Sequence, residues 1–409
     1  MTIRQALLCS ATLLLATSRA DAAVINLVDK GGVTGSPAEQ GFKIAALYWG
    51  SVLTNDVQIN FKVGFERLAR NVIGQAGSTS MDYSVAEWES LIGETKSNSL
   101  LDRTATLNLP MLNSSGGATF ITNGTDADGN DDTRVKALVR GDTVSSRTLY
   151  ANTSVLKAIG AIDGSGTDID GDVTFSSAFA FDFDPSDGID RDTFDFIGTA
   201  IHEFGHALGF VSGVDDMDYF ARPNGPERGT LGYSRNDTSI YTPLDMFRYS
   251  RDPSNLAGGE PMLDLSVGTE SYFSIDGGKN ALFDNSFATG RYNGDGNSAS
   301  HWRDTGGTTF EEECTKQLGI LDPTSCFGQA EEVTALDLAA FDAMGWNLSV
   351  DVLENPGYLA TTASIYRQFQ SAVPEPTTWA MMLTGFAMVG GALRGSRRSR
   401  TKMRVGVAG

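Results

Sequence analysis

The run His202-Glu203-Phe204-Gly205-His206 constrains this chain more than any other feature. On a helix, residues four apart lie on one face, one turn apart, so two imidazoles can chelate one ion with a carboxylate alongside. The surrounding residues favour that helix. Phe196, Ile197, Ala200, Ile201, Phe204 and Leu208 recur at helical spacing, Asp192 or Thr193 is placed to cap its start, and Gly209 ends it. Only three histidines occur in 409 residues, which makes this spacing a poor candidate for accident. Imidazole nitrogen suits zinc, which acidifies a water and polarises a carbonyl, and a neighbouring carboxylate can take the water's proton. His202 and His206 are therefore candidate metal ligands and Glu203 the candidate general base.

A catalytic zinc needs a third ligand and one open position. A contiguous arrangement would place it at position 212, where the chain has Ser212, a poor zinc ligand. His301, in Ser300-His301-Trp302, is the remaining histidine; Asp215, Asp216, Glu227 and Glu260 are the carboxylate alternatives. A lone histidine before tryptophan could equally be a packed residue. Three nitrogen donors favour His301.

Hydrophobic residues make up 41% of the chain, enough for a substantial core, and the net charge is -20. That charge excludes a nucleic-acid or anionic-membrane binder, since phosphate contacts need clustered Lys and Arg. Apolar spacing predicts a helix over 42–53, alternation a strand over 56–65, and Ser84 with Glu87 a capping box before a second helix. Residues 112–147 read mostly as loop, 173–183 as one strand, 211–300 as a long insertion, and 334–344 as a helix ended by Gly345. The expected domain is 23–348, with an upper part to 210 and a lower part from 211, followed by a linker over 349–372. Three acidic runs offer oxygens at alternate positions and are candidate structural calcium sites: Asp126, Asp128, Asn130 and Asp132; Asp168, Asp170 and Asp172; Asp182 to Asp192.

Both ends carry export features. Arg4, an apolar stretch over 6–16 and Ala20-Asp21-Ala22 predict a signal peptide cleaved after Ala22. Cys9 would leave with it, so Cys314 and Cys326 are expected to pair in an oxidising compartment, with free thiols or a soft metal site as alternatives. From 373, Val-Pro-Glu-Pro precedes an apolar run over 377–393 and then Arg394, Arg397, Arg398, Arg400, Lys402 and Arg404. The run is long enough for a membrane span, with the basic cluster at the cytoplasmic end. The order of the three parts resembles the PEP-CTERM sorting signal of Gram-negative bacteria. That resemblance implies transient inner-membrane anchoring, a sorting enzyme as partner, and release at the cell surface or into extracellular matrix.

HEFGHALGF, a long insertion, SHW, then a turn and a short helix ending in Met-Gly-Trp resemble the leishmanolysin-type branch of the metzincins, and more closely the PEP-CTERM-tailed bacterial metallopeptidases. The resemblance covers most of 40–348. It implies an α+β zincin-like fold with a twisted sheet over the active-site helix, zinc on His202, His206 and His301, and a protein or peptide substrate pairing with 173–183 as the edge strand. The family's methionine beneath the metal is replaced, in Gly319-Ile320-Leu321-Asp322-Pro323, by Leu321. The alternative is a zincin-fold binding or matrix protein without turnover, against which retention of Glu203 speaks.

Overall fold

The computed structural model describes residues 22–70, 72–222, 238–252, 254–304 and 317–373. The chain runs β1 (Val24–Gly31), α1 (Pro37–Val52), β2 (Gln58–Glu66), β3 (Gly74–Ser78), β4 (Ser80–Ser84), α2 (Val85–Thr95), α3 (Leu100–Leu107), β5 (Thr119–Thr125) and β6 (Asp131–Arg140). Next come α4 (Val144–Arg147), β7 (Thr148–Asn152), α5 (Thr153–Ala158), β8 (Gly171–Ser176), β9 (Phe181–Asp182), β10 (Phe194–Asp195), α6 (Phe196–Ala207) and α7 (Val214–Ala221). The remainder is β11 (Arg248–Arg251), β12 (Pro261–Leu263), β13 (Tyr272–Phe273), β14 (Glu332–Thr334), α8 (Ala335–Met344), β15 (Leu359–Thr361) and α9 (Thr362–Phe369). The chain is a mixture of helix and sheet. Among the described residues no helix is long and apolar enough to cross a membrane. The signal peptide up to residue 21 and the tail from 374 lie outside them.

The main sheet has the order β1-β2-β8-β3, with β1, β2 and β8 parallel and β3 antiparallel to β8. Both α1 and α6 pack on it and on each other. Phe42, Ala45, Trp49 and Val52 give α1 a buried stripe at helical spacing. The Trp49 indole donates to the Ile201 carbonyl at 3.0 Å and ties α1 to α6. Apolar and small residues are buried along the whole of α6, as a helix enclosed by core requires.

Several expectations need correction. The α6 cap is Asp195, not Asp192 or Thr193: its carboxylate takes the Gly198 N–H at 2.9 Å. The reason is that Phe194 and Asp195 first pair as a parallel strand with β9, delaying the helix. The strand read over 173–183 breaks after Ser176 and resumes only at Phe181. Its alternating phenylalanines serve another purpose, since Phe175, Phe181 and Phe183 gather round Phe196 at 5.0, 5.3 and 4.7 Å between ring centroids. Nor is this segment the sheet edge. β8 is flanked by β2 and β3, and β3 is the antiparallel edge. Residues 112–147 hold the β5–β6 hairpin rather than loop.

The expected linker over 349–372 is part of the folded body. β15 pairs with β14, α9 packs on α1 and α6, and Val352, Ile365, Tyr366 and Val373 are buried. Thr362 donates to the Asp195 carboxylate, so this segment reaches the cap of α6. Each fully buried apolar side chain contributes about 1.5–3 kcal/mol, so losing several removes much of a net stability of about 5–15 kcal/mol. A chain stopped after Leu348 is expected to melt far below one stopped after Val373 in a thermal scan; equal midpoints would refute an integral role for the segment.

A second expectation concerns pH. On α2, Glu89 has a buried Oε1 with no hydrogen-bond partner among the described residues, and burial raises its pKa from 4.5 to about 7. The folded state then binds this proton more tightly than the unfolded one, so stability falls as pH rises from 4.5 to about 7. Glu89→Gln is expected to raise the melting temperature at pH 8, leave it nearly unchanged at pH 4, and so flatten the profile between them.

Candidate metal centre

The three histidines converge. His206 Nε2 lies 3.0 Å from His202 Nε2 and 3.2 Å from His301 Nε2. Each Nδ1 faces a backbone carbonyl: His202 faces Ile320 at 2.6 Å, His206 faces Phe210 at 2.7 Å, and His301 faces Ser298 at 3.1 Å. A carbonyl oxygen can only accept, so the proton belongs on Nδ1 and a lone pair remains on each Nε2. Burial lowers the pKa of His202 to about 3 and that of His301 well below its ordinary value, with the neighbouring imidazoles adding to both; burial lowers His206 as well. Three neutral imidazoles thus aim lone pairs at one point. They repel unless a cation stands among them, and tetrahedral zinc–nitrogen bonds would set the nitrogens about 3.3 Å apart. The donor set fits zinc.

Local structure explains how the ligands meet. His202 and His206 share a face of α6. At Gly209, with φ of +127°, the chain turns; a Cβ there would stand 2.5 Å from Val155 Cγ2. Beyond the turn the Ser212 N–H donates to Ser300 Oγ at 2.9 Å, which joins the end of the helix to the loop carrying His301. Asp215 takes the Ala299 and Ser300 N–H groups at 2.7 and 3.0 Å and both serine hydroxyls, Ser298 and Ser300. It shapes that loop rather than joining the ligand set. Asp216 is exposed on a cavity of about 320 Å³ that His206 and His301 also line, together with Tyr150 and Ser78. Glu260 is exposed, and Glu227 lies outside the described residues. Among the described residues, the three histidines form the one group whose ligand atoms gather, within 4.8 Å of one another.

Glu203 is half-buried against the edge strand. A Cβ on Gly74 of β3 would come within 2.9 Å of the Phe175 ring and 3.0 Å of Glu203 Oε1, so glycine leaves room for the carboxylate. Burial raises the pKa of Glu203 to about 8. Beneath the site Leu321 is fully buried, its methyls 3.3 Å from where a Gly205 Cβ would be. An apolar side chain thus packs against this helix where the resemblance led to the expectation of a methionine.

Two supporting residues escaped the sequence reading. Buried Asp337 accepts from Trp302 Nε1 at 2.8 Å, Ile320 N–H at 2.9 Å, Leu321 N–H at 3.3 Å and Thr334 N–H at 2.8 Å. It fastens α8 to the turn behind His202 and to the residue after His301. Buried Arg248 donates to the Ala299 and Ala288 carbonyls, and the Ala288 N–H donates to the His301 carbonyl. The first could be glimpsed as a capping-box residue; no local signal marks the second.

Several carboxylates of the acidic runs read as candidate calcium sites make hydrogen bonds or ion pairs within the chain. Asp126 takes the N–H groups of Asp128 and Asn130, Asp132 pairs with Arg134, Asp170 with Lys157, Asp172 with Lys30, and Asp182 takes the N–H groups of Asp184 and Asp190. Cys326 is disulfide-bonded; Cys314 lies outside the described residues. No protein-family model, curated protein or solved structure matches the chain.

Removing Asp337 orphans several buried donors at once. Asp337→Ala is expected to cost about 3 kcal/mol of unfolding free energy in urea denaturation, whereas Glu260→Ala changes it by no more than about 0.5 kcal/mol. Equal effects would show that Asp337 is not a fastening point.

Proposed function

We propose that this protein is an exported zinc-dependent endopeptidase of zincin-like, metzincin-type fold. The observation that supports it most is the convergence of three Nε2 lone pairs beside a half-buried glutamate. His202, His206 and His301 would hold the zinc. When bound, the ion supplies positive charge that acidifies water and polarises the scissile carbonyl.

The chain's own groups perform the remaining work. Glu203 takes a proton from the attacking water and passes it to the leaving amine. The carbonyl partners on each Nδ1 keep the imidazoles in one tautomer and orientation, as outer partners of metal ligands do. β3, the free antiparallel edge beside α6, is where an extended peptide would pair, in place of the 173–183 segment. Export, a disulfide in an oxidising compartment, transient anchoring by the tail and its cleavage by a sorting enzyme belong to the same proposal and rest on the sequence features at both ends.

The test is zinc content and casein hydrolysis of the purified protein beside Glu203→Ala and His301→Ala. About one zinc per chain with proteolysis is expected for the wild type. Glu203→Ala should keep zinc and lose at least about a hundredfold in rate, and His301→Ala should lose the metal. Zinc binding with no cleavage of any peptide pool would move the inactive binding-protein reading ahead, and full zinc affinity in His301→Ala would remove it from the ligand set.

A further inference from the structure

The cavity of about 320 Å³ beside the metal centre is lined by two of the three candidate ligands, His206 and His301, and by the edge strand β3 through Ala76 and Ser78. A peptide that pairs with β3 and crosses the metal therefore has this cavity next to its scissile bond. Sites for whole small molecules run from about 300 to 1,000 Å³, so this one has room for a single long side chain. Its lining has one electrostatic character. Asp216 is the carboxylate in it, and among the described residues no Lys or Arg lines it. Three half-buried serines at its wall direct their protons into the protein: Ser78 donates to the His206 carbonyl at 3.4 Å, Ser80 to Asn152 Oδ1 at 3.4 Å and Ser298 to Asp215 at 2.7 Å. A hydroxyl whose proton is engaged has only lone pairs left to offer. Tyr150, also in the lining, is 43% exposed, and the face of a phenol ring attracts cations.

We infer that this cavity selects peptides with arginine or lysine next to the scissile bond, the cationic head held by Asp216 and the serine oxygens. Arg and Lys carry donors and no acceptor, which complements a wall of acceptors. Their methylene stems need apolar contact below the charged head, and Ala76 and Val211 in the same lining supply it. The alternatives fit less well. A glutamate would meet Asp216 as a like charge, and a leucine would strip water from the serine oxygens and the carboxylate without replacing its hydrogen bonds. The net charge of -20 acts in the same direction at longer range, drawing cationic peptides toward the site. This inference rests on the peptidase reading and narrows its substrate.

The experiment gives the zinc-loaded protein a random peptide mixture, reads the cut positions by mass spectrometry, and then measures kcat/KM on one peptide frame varied at the selected position. Arg and Lys should be enriched at one of the two positions flanking the cut. In the fixed frame Arg should exceed citrulline, its uncharged isostere, by about tenfold, and Leu and Glu by at least as much. Added salt should shrink that ratio, since Asp216 is exposed. Asp216→Lys should cancel the preference for Arg and raise the rate on the Glu peptide above that of the wild type, a gain that a misfolded variant cannot produce. Cleavage without basic enrichment, citrulline cut as well as Arg, or an Asp216→Lys protein that still prefers Arg would overturn the inference and leave the peptidase reading standing. A wild type that cuts no peptide in the mixture would overturn both.

Discussion

The hydrogen bond from each imidazole Nδ1 to a backbone carbonyl is the constraint on which the rest of the site depends. The three carbonyls come from Ile320, Phe210 and Ser298, so the ligand set exists only when three separate segments lie correctly against α6. Each bond fixes a tautomer and an orientation, and together they turn three neutral rings into one donor set. Much of the surrounding structure serves that alignment. Gly209 redirects the chain, Ser212 meets Ser300, Asp215 shapes the loop before His301, and Asp337 fastens the turn that carries the Ile320 carbonyl.

The same logic explains much of the chain's acidity. The lower part has short strands and long irregular connections, so many backbone N–H groups lack a ladder partner and need an acceptor. Aspartates supply it from within. Asp245 takes the Gly213 and Thr242 N–H groups, Asp218 those of Tyr292 and Asn293, and Asp264 that of Ser266 along with the Ser250 and Ser266 hydroxyls. These carboxylates are buried fasteners.

Elements whose signals are local were visible in the sequence. Ser84 does cap α2 through the Glu87 N–H, and Gly345 does end α8 with φ of +120°. Elements defined by a distant partner were not. β6 is half-buried and charged, without clean alternation, so its strand state depends on pairing with β5. α9 is polar on average, and its buried residues gain their contacts from α1 and α6, which precede it by more than 150 residues.

What the sequence determined by itself was the chemistry available: two imidazoles one helical turn apart with a carboxylate beside them, a third imidazole somewhere, and a net charge of -20. Spacing on a helix is a local property, fixed by 3.6 residues per turn whatever the surroundings. The tertiary structure decided that His301, rather than the nearby aspartates, completes the cluster, that β3 and not β8 is the edge beside it, and that the chain through Val373 belongs to the core. Those outcomes follow from which buried donors find which acceptors and which apolar faces find each other across the chain. No window of sequence contains both partners.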